Sequence, residues 1–225
     1  MRFPYGLANF ERIREERLYY IDRTDRIRLV EESGDQLLLL RPRRFGKSLW
    51  LSTLENYYDI ARADRFAALF GDLAIGQNPT SNCNRYFTMR WDFSLVEPFG
   101  DAGSIRGSLH RHINSCIAEF ALRYRDRLTQ PIERHEDALQ SFHSLLAVLR
   151  HSAHKLYLFI DEYDNFANEV LVSHQRGEQR YDELVGGEGA IKSLFKAIKA
   201  AAGSGALERV FITGVTPVVM ADITS

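Results

Sequence analysis

The sequence predicts an α/β protein built on a mainly parallel sheet flanked by helices, and three observations carry that expectation. Short apolar, β-favouring runs at 36–40, 86–93, 155–161 and 209–213 alternate with stretches whose apolar residues recur at helical spacing. Alternating strands and helices call for crossover connections, hence parallel pairing. Two of the runs end abruptly in polar residues, Arg41 to Ser48 after the first and Asp161-Glu162 after the third, as strands do when they deliver chemistry to a sheet's carboxyl edge.

Residues 1–35 are charged and aromatic and are expected to pack on the core as an N-terminal segment. Within them, Asp22 or Thr24 can cap a helix through Ile27, Leu29 and Val30, which Ser33-Gly34-Asp35 would stop. The apolar run Gln36–Leu40 is the first strand, and Leu49, Leu51, Leu54, Tyr57 and Tyr58 mark a helix beginning at Leu49. A short helix is expected over 63–70, and turn residues at 76–82 lead into the second strand, Tyr86–Phe93. Ile105, Leu109, Ile113, Ile117 and Phe120 share one helix face, as do Leu139, Phe142, Leu145, Leu146 and Leu149. The third strand ends at Asp161; Ser173–Gly189 reads as a mobile surface loop, 191–201 as a helix, and Arg209–Thr213 as the fourth strand.

The segment Arg41-Pro42-Arg43-Arg44-Phe45-Gly46-Lys47-Ser48 lies between a strand and a helix. That is the layout of a phosphate-binding loop, in which backbone N–H groups, a lysine and a hydroxyl converge on polyphosphate. It departs from the usual G-x-x-x-x-G-K-S/T spacing, because Arg41 stands where the first glycine belongs. Either Arg41 takes a strained positive φ at a cost of about 1 kcal/mol, or Pro42 stiffens a different path into the loop. A basic turn that binds nothing would look similar, so the loop alone does not decide. The run Lys155–Ile160 adds the second half, because a buried strand ending in Asp161-Glu162 supplies one carboxylate for Mg²⁺ and one to polarise a water. Both segments in this order point to a nucleoside triphosphate.

Composition fits an ordinary globular chain. The 225 residues, 45% of them hydrophobic, can bury a sizeable core. A net charge of −1 supplies no global field for nucleic acid. Cys83 and Cys116 stand in no metal or redox spacing, and no apolar run is long enough for a membrane span or signal peptide, so a cytoplasmic protein without membrane contact is expected.

With these elements placed, the chain resembles the AAA-ATPase-like family of bacteria and archaea, whose loop reads R-P-R-R-F-G-K-S/T. The likeness rests on Arg41 to Ser48, on Gly6, Phe10, Arg14 and Tyr19-Tyr20-Ile21-Asp22-Arg23-Thr24 upstream, and on Phe159-Ile160-Asp161-Glu162-Tyr163-Asp164. The resemblance implies an AAA-like P-loop core of the additional-strand type over 36–225, with the lysine strand beside the sensor strand and the acidic strand next. It implies ATP and Mg²⁺ as ligands, with Arg43, Arg44, Phe45, Gly46, Lys47, Ser48 and Leu49 around the phosphates and Lys47 on the β- and γ-phosphates. Ser48 and Asp161 would hold Mg²⁺, Glu162 would activate water, and Thr213 would be the polar sensor. Family members often continue into a PD-(D/E)xK nuclease-like domain; here the fifth strand and helical lid are also expected to be missing, leaving the lysine strand as an edge. ATP hydrolysis coupled to such a domain or to a partner is the expected function, with a nucleotide-binding interaction module that does not hydrolyse as the alternative. Homo-oligomerisation and nucleic-acid contact are left open.

Several other residues have two readings. Arg43 and Arg44 are phosphate or subunit contacts, or solvated. Tyr19 and Tyr20 pack in the core or beside a base; Asp92 supports the metal or caps the next turn. Among Arg123, Arg125 and Arg127, one could reach a neighbouring subunit's phosphate, or all three form a solvated face. His110 and His112, two apart on a helix, point in different directions and make a poor metal pair.

Overall fold

The computed structural model describes residues 2–97, 100–164 and 190–216. Four parallel strands, β1 (Gln36–Leu40), β2 (Phe87–Asp92), β3 (Leu156–Asp161) and β4 (Leu207–Gly214), lie in the order β1-β4-β3-β2. β1, which leads to Lys47, thus borders β4, which carries Thr213, and β3 with Asp161 comes next, the strand order that the resemblance implied. The helices are α1 (Phe10–Glu15), α2 (Ile27–Glu32), α3 (Lys47–Tyr58), α4 (Phe66–Phe70), α5 (Ala74–Gln77), α6 (Ala102–Arg123), α7 (Ala138–Arg150) and α8 (Ala190–Ala202).

Side-chain alternation along the strands divides the core in two. Tyr157 and Phe159 of β3 and Phe211 of β4 pack with Leu51, Leu54, Tyr57 and Tyr58 of α3. Leu158, Ile160, Val210 and Ile212 face the opposite way, onto α6, α7 and α8. Every residue of β3 is buried, which explains why its sequence is a continuous apolar run rather than an alternating one. The same alternation fixes the site. Asp161 falls on the α3 side with Tyr157 and Phe159, and Thr213 with Phe211. On β2, Met89 and Trp91 enter the opposite core, so Arg90 and Asp92 take the α3 side.

The largest departures from the sequence reading lie near the N-terminus. Helix α1 has six residues, too few for a periodic signal; Asn9 caps it by accepting from Arg12 N at 2.9 Å, and Ser52 Oγ of α3 accepts from Phe10 N at 3.0 Å. Asp22 accepts from both the amide and the hydroxyl of Thr24, starting a 3₁₀ turn at 24–26 that runs into α2, so the helix begins later than its cap suggested. Helix α3 starts at Lys47, two residues before Leu49. Residues 60–65 form a 3₁₀ turn ahead of α4, while Tyr86 and Phe93 flank β2 without belonging to it. The expected loop at 173–189 lies outside the described residues, as does 217–225.

Among the described residues β1 pairs only with β4, and Leu38 on it is 38% exposed. The edge expected for the lysine strand is therefore present in the described sheet. At the other end of the core, the Tyr124 hydroxyl closing α6 donates to Asp59 Oδ1 at 2.7 Å and accepts from Thr88 N at 3.0 Å, joining α3, α6 and β2. Tyr124→Phe removes an acceptor and a donor from buried partners. We expect it to cost about 1–3 kcal/mol in urea unfolding; a loss within about 0.5 kcal/mol, the ordinary surface range, would contradict this role for the hydroxyl.

Candidate nucleotide site at the carboxyl edge of the sheet

The loop leaves β1 beside the end of β4, with Arg41 N donating to Gly214 O at 3.1 Å. Arg41 does not have a positive φ; the left-handed positions are Arg44 (φ 66°) and Gly46 (φ 77°). Pro42 thus introduces a different loop path, and the strain, about 1–2 kcal/mol for a non-glycine residue, sits at Arg44. The turn brings Lys47 inward. Only 6% exposed, its ammonium donates to the carbonyls of Arg41 at 2.9 Å and Pro42 at 3.1 Å, so one of its three donors is left over. Gly46 precedes a twelve-residue helix whose first N–H groups receive no side-chain cap. Ser48 and Leu49 are half-buried in its first turn, while Arg43, Arg44 and Phe45 are exposed, Phe45 to 66%.

At the end of β3, Asp161 is 1% exposed. Its Oδ1 accepts from the Thr213 hydroxyl, and its Oδ2 from Arg90 Nη2 at 2.5 Å. Thr213 Oγ1 in turn accepts from Glu162 N at 3.3 Å, so one hydroxyl connects β4 to both acids. Glu162 holds φ 52°, a left-handed conformation that non-glycine residues rarely take and that tends to occur at functional sites. Burial, reinforced by the carboxylates of Asp161 and Asp92, raises the Glu162 pKa above the ordinary carboxylate range, against the pull of Lys47 and Arg43. The loop and the acids therefore share one electrostatic environment.

The next two residues clamp β3 to β4. Asp164 Oδ2 accepts from Val215 N at 2.9 Å, Thr216 N at 2.7 Å and Thr216 Oγ1 at 3.0 Å, and the Tyr163 hydroxyl donates to Thr216 O. The Tyr163 ring lies so close to Gly214 that a Cβ there would sit 2.3 Å from its Cε1.

Mg²⁺ and ATP fit the residues present: a buried ammonium in a loop with left-handed turns, an uncapped helix N-terminus with Ser48 in its first turn, and a buried carboxylate at the same edge of the sheet. Among the described residues no cluster of three or more His, Cys, Asp and Glu could hold a metal by itself. Such a cluster is not needed where one hydroxyl, one carboxylate and the nucleotide's own oxygens are the ligands. Asp92 both accepts from Ser94 N, capping the turn that follows, and approaches Arg90 at 3.4 Å.

The remaining candidates lie elsewhere. Arg123 sits 3.4 Å from Glu55 and 3.6 Å from Asp59 of its own chain, whereas Arg125 is exposed beside Asp126. Tyr20 packs edge-on against Phe10, and Tyr19 against Phe3. His110 accepts from Ala138 N at 2.9 Å and His112 lies against Cys116, so the two histidines do not converge. The sequence reading missed Arg90 and the positional roles of Tyr163, Asp164 and Gly214. The polar alternation Thr88, Arg90, Asp92 between Phe87, Met89 and Trp91 was the available signal for the first.

A family model described as predicted AAA-ATPase matches residues 4–224. The chain belongs to this AAA-ATPase-like family. Across 207 residues it is 29% identical to a protein of Azotobacter chroococcum mcd 1 described as "Uncharacterized protein in vnfD 5'region", covering 88% of this chain and 34% of that relative. The chain thus spans about a third of the length of the curated relative it matches. No solved structure matches it. Membership of an AAA-ATPase-like family makes ATPase-like function and nucleotide binding the coarse assignment, and the four-stranded parallel sheet is compatible with a P-loop NTPase-like fold. No described helix is long and apolar enough to cross a membrane.

In this AAA-ATPase-like fold, the Tyr163 ring just past β3 packs closely against Gly214 at the end of β4. Gly214→Ala should cost about 1–3 kcal/mol by overpacking, read as a lower urea midpoint; an unchanged midpoint would show that the ring can move aside.

Proposed function

We propose that this domain binds ATP with Mg²⁺ and hydrolyses it, coupling turnover to a partner or to a further domain. The observation that carries the reading is the Asp161–Thr213 hydrogen bond with Glu162 alongside, at the same sheet edge as the buried Lys47. Lys47 would turn its ammonium from the loop carbonyls to the β- and γ-phosphates, and the amides of the loop and α3 would cradle them. Ser48 and Asp161 would hold the metal ion, which when bound neutralises charge on the transferring phosphoryl group.

Glu162 would orient the attacking water and accept its proton as the new P–O bond forms and the bond to the departing ADP oxygen breaks. The raised Glu162 pKa suits that task, because a proton acceptor works best when its affinity approaches the working pH. Thr213 would keep the two acids in register and sense the γ-phosphate through the same hydroxyl. A nuclease-like C-terminal domain, a second copy of the chain and nucleic acid are candidates for what the hydrolysis drives, and Arg125 or Arg127 for a contact with a neighbouring subunit. A cytoplasmic setting belongs to the same proposal, supported by two cysteines that are free and in no metal or redox spacing.

Two substitutions separate binding from turnover. Lys47→Ala should weaken ATP about tenfold or more, because a charge-assisted contact in a dry site is lost; equal affinity by calorimetry would remove the phosphate-loop assignment. Glu162→Gln should leave Mg²⁺–ATP bound and slow phosphate release about 100-fold or more. If that variant lost binding while Asp161→Asn kept it, the roles of the two acids would be exchanged.

A further inference from the structure

Arg90 is placed between two environments. On one side its Nη2 holds Asp161 Oδ2 at 2.5 Å, with Asp92 Oδ2 at 3.4 Å. On the other it borders a cavity of about 340 Å³ between α1 and α3, whose lining includes Ser52, Glu55, Asn56, Asp59 and Arg123. Two polar atoms of the residues around this cavity are buried without a hydrogen-bond partner: Arg90 Nε, a donor, and Asn56 Oδ1, an acceptor. Asn56 is only 8% exposed and uses its Nδ2 on Ser52 O at 2.8 Å, so its remaining oxygen is an unused acceptor. A buried polar atom left this way is costly unless another state of the protein uses it.

Asp161 presents the complementary problem. Thr213 takes one of its oxygens and Arg90 the other, while the nucleotide reading, on which this inference rests, requires the same carboxylate to support a divalent cation. A guanidinium and a metal ion at one carboxylate repel each other, and the two cannot be held equally well. We propose that Arg90 is a positioning residue that competes with Mg²⁺ for Asp161. In the nucleotide-free site it supplies the counter-charge a buried carboxylate needs. When Mg²⁺–ATP is held, it turns toward the cavity, where Asn56 Oδ1 and the carboxylates of Glu55 and Asp59 receive it. Glu55 is approached there by Arg123 at 3.4 Å, and Asp59, whose Oδ1 accepts from the Tyr124 hydroxyl and Ala61 N, offers its Oδ2, 3.6 Å from Arg123. The exchange links occupancy of the site to the seam between α1, α3 and the end of α6.

The test is the Mg²⁺ concentration that half-saturates the Mg²⁺-dependent gain in ATP affinity, measured by calorimetry on the 225-residue chain. Arg90→Met removes the competitor and should lower that concentration about tenfold, the scale of a coupled two-site equilibrium, with ATP affinity in EDTA unchanged. Arg90→Lys should stay near the parent, while Asn56→Leu, which removes the receiving acceptor, should raise it about threefold. A purely structural Arg90 would lower thermal stability in Arg90→Met without moving the Mg²⁺ midpoint, and that result overturns the proposal. If Arg90→Met fails to fold, Asn56→Leu decides, and an unchanged midpoint overturns it. Failure of the parent to bind ATP at any Mg²⁺ concentration removes the nucleotide reading and this inference together, whereas parent binding with unmoved variants removes this inference alone.

Discussion

The arrangement of this domain depends on satisfying one buried negative charge. Asp161 lies at the end of a strand whose every residue is inaccessible, and an ionised carboxylate in such a place is tolerated only if both oxygens find donors. The donors come from the two flanking strands, Thr213 of β4 and Arg90 of β2. The carboxylate therefore ties three strands together at the edge where β1 leads into the loop Arg41–Ser48, and a shift of either neighbour by one residue would turn its donor to the opposite face. Fold and site share this constraint: the register that packs Tyr157, Phe159 and Phe211 under α3 also brings Asp161, Thr213 and Arg90 together.

Two of the four described non-glycine residues with a left-handed backbone lie near the same edge, Arg17 and Asn84 being the other two. Arg44 and Glu162 take left-handed conformations that non-glycine residues avoid, one in the loop and one directly after the buried acid. The surroundings hold at least the second in place: Glu162 N is bonded to Thr213, and Tyr163 and Asp164 just beyond are fixed to Thr216 and Val215. Such clamping lets a side chain needed for chemistry point where an unstrained backbone would not send it. The close approach of the Tyr163 ring to Gly214 keeps β4 against that clamp.

What the sequence made legible follows from burial. The central strands β3 and β4 are buried on both faces and stood out as apolar runs, while β1, an edge of the described sheet, stood out by its four leucines; the loop and the paired acids were read from their positions at the ends of those runs. Helices α1 and α5 were illegible because six and four residues give no period, and α1 is held by Asn9 and by Ser52 of another helix. Arg90 was passed over because its meaning lies in a pairing with Asp161 that only the sheet order creates. The missing first glycine was a similar case: at Arg41 the sequence left open a strained turn or a new path, and the backbone takes the new path with its strain at Arg44.

Whether Asp161 organises the metal through which ATP is held is decided by measuring ATP affinity of the parent and of Asp161→Asn in EDTA and in saturating Mg²⁺. Similar affinities are expected in EDTA, with the gain conferred by Mg²⁺ on the parent lost in the variant. A variant that kept the full Mg²⁺-dependent gain would contradict that role.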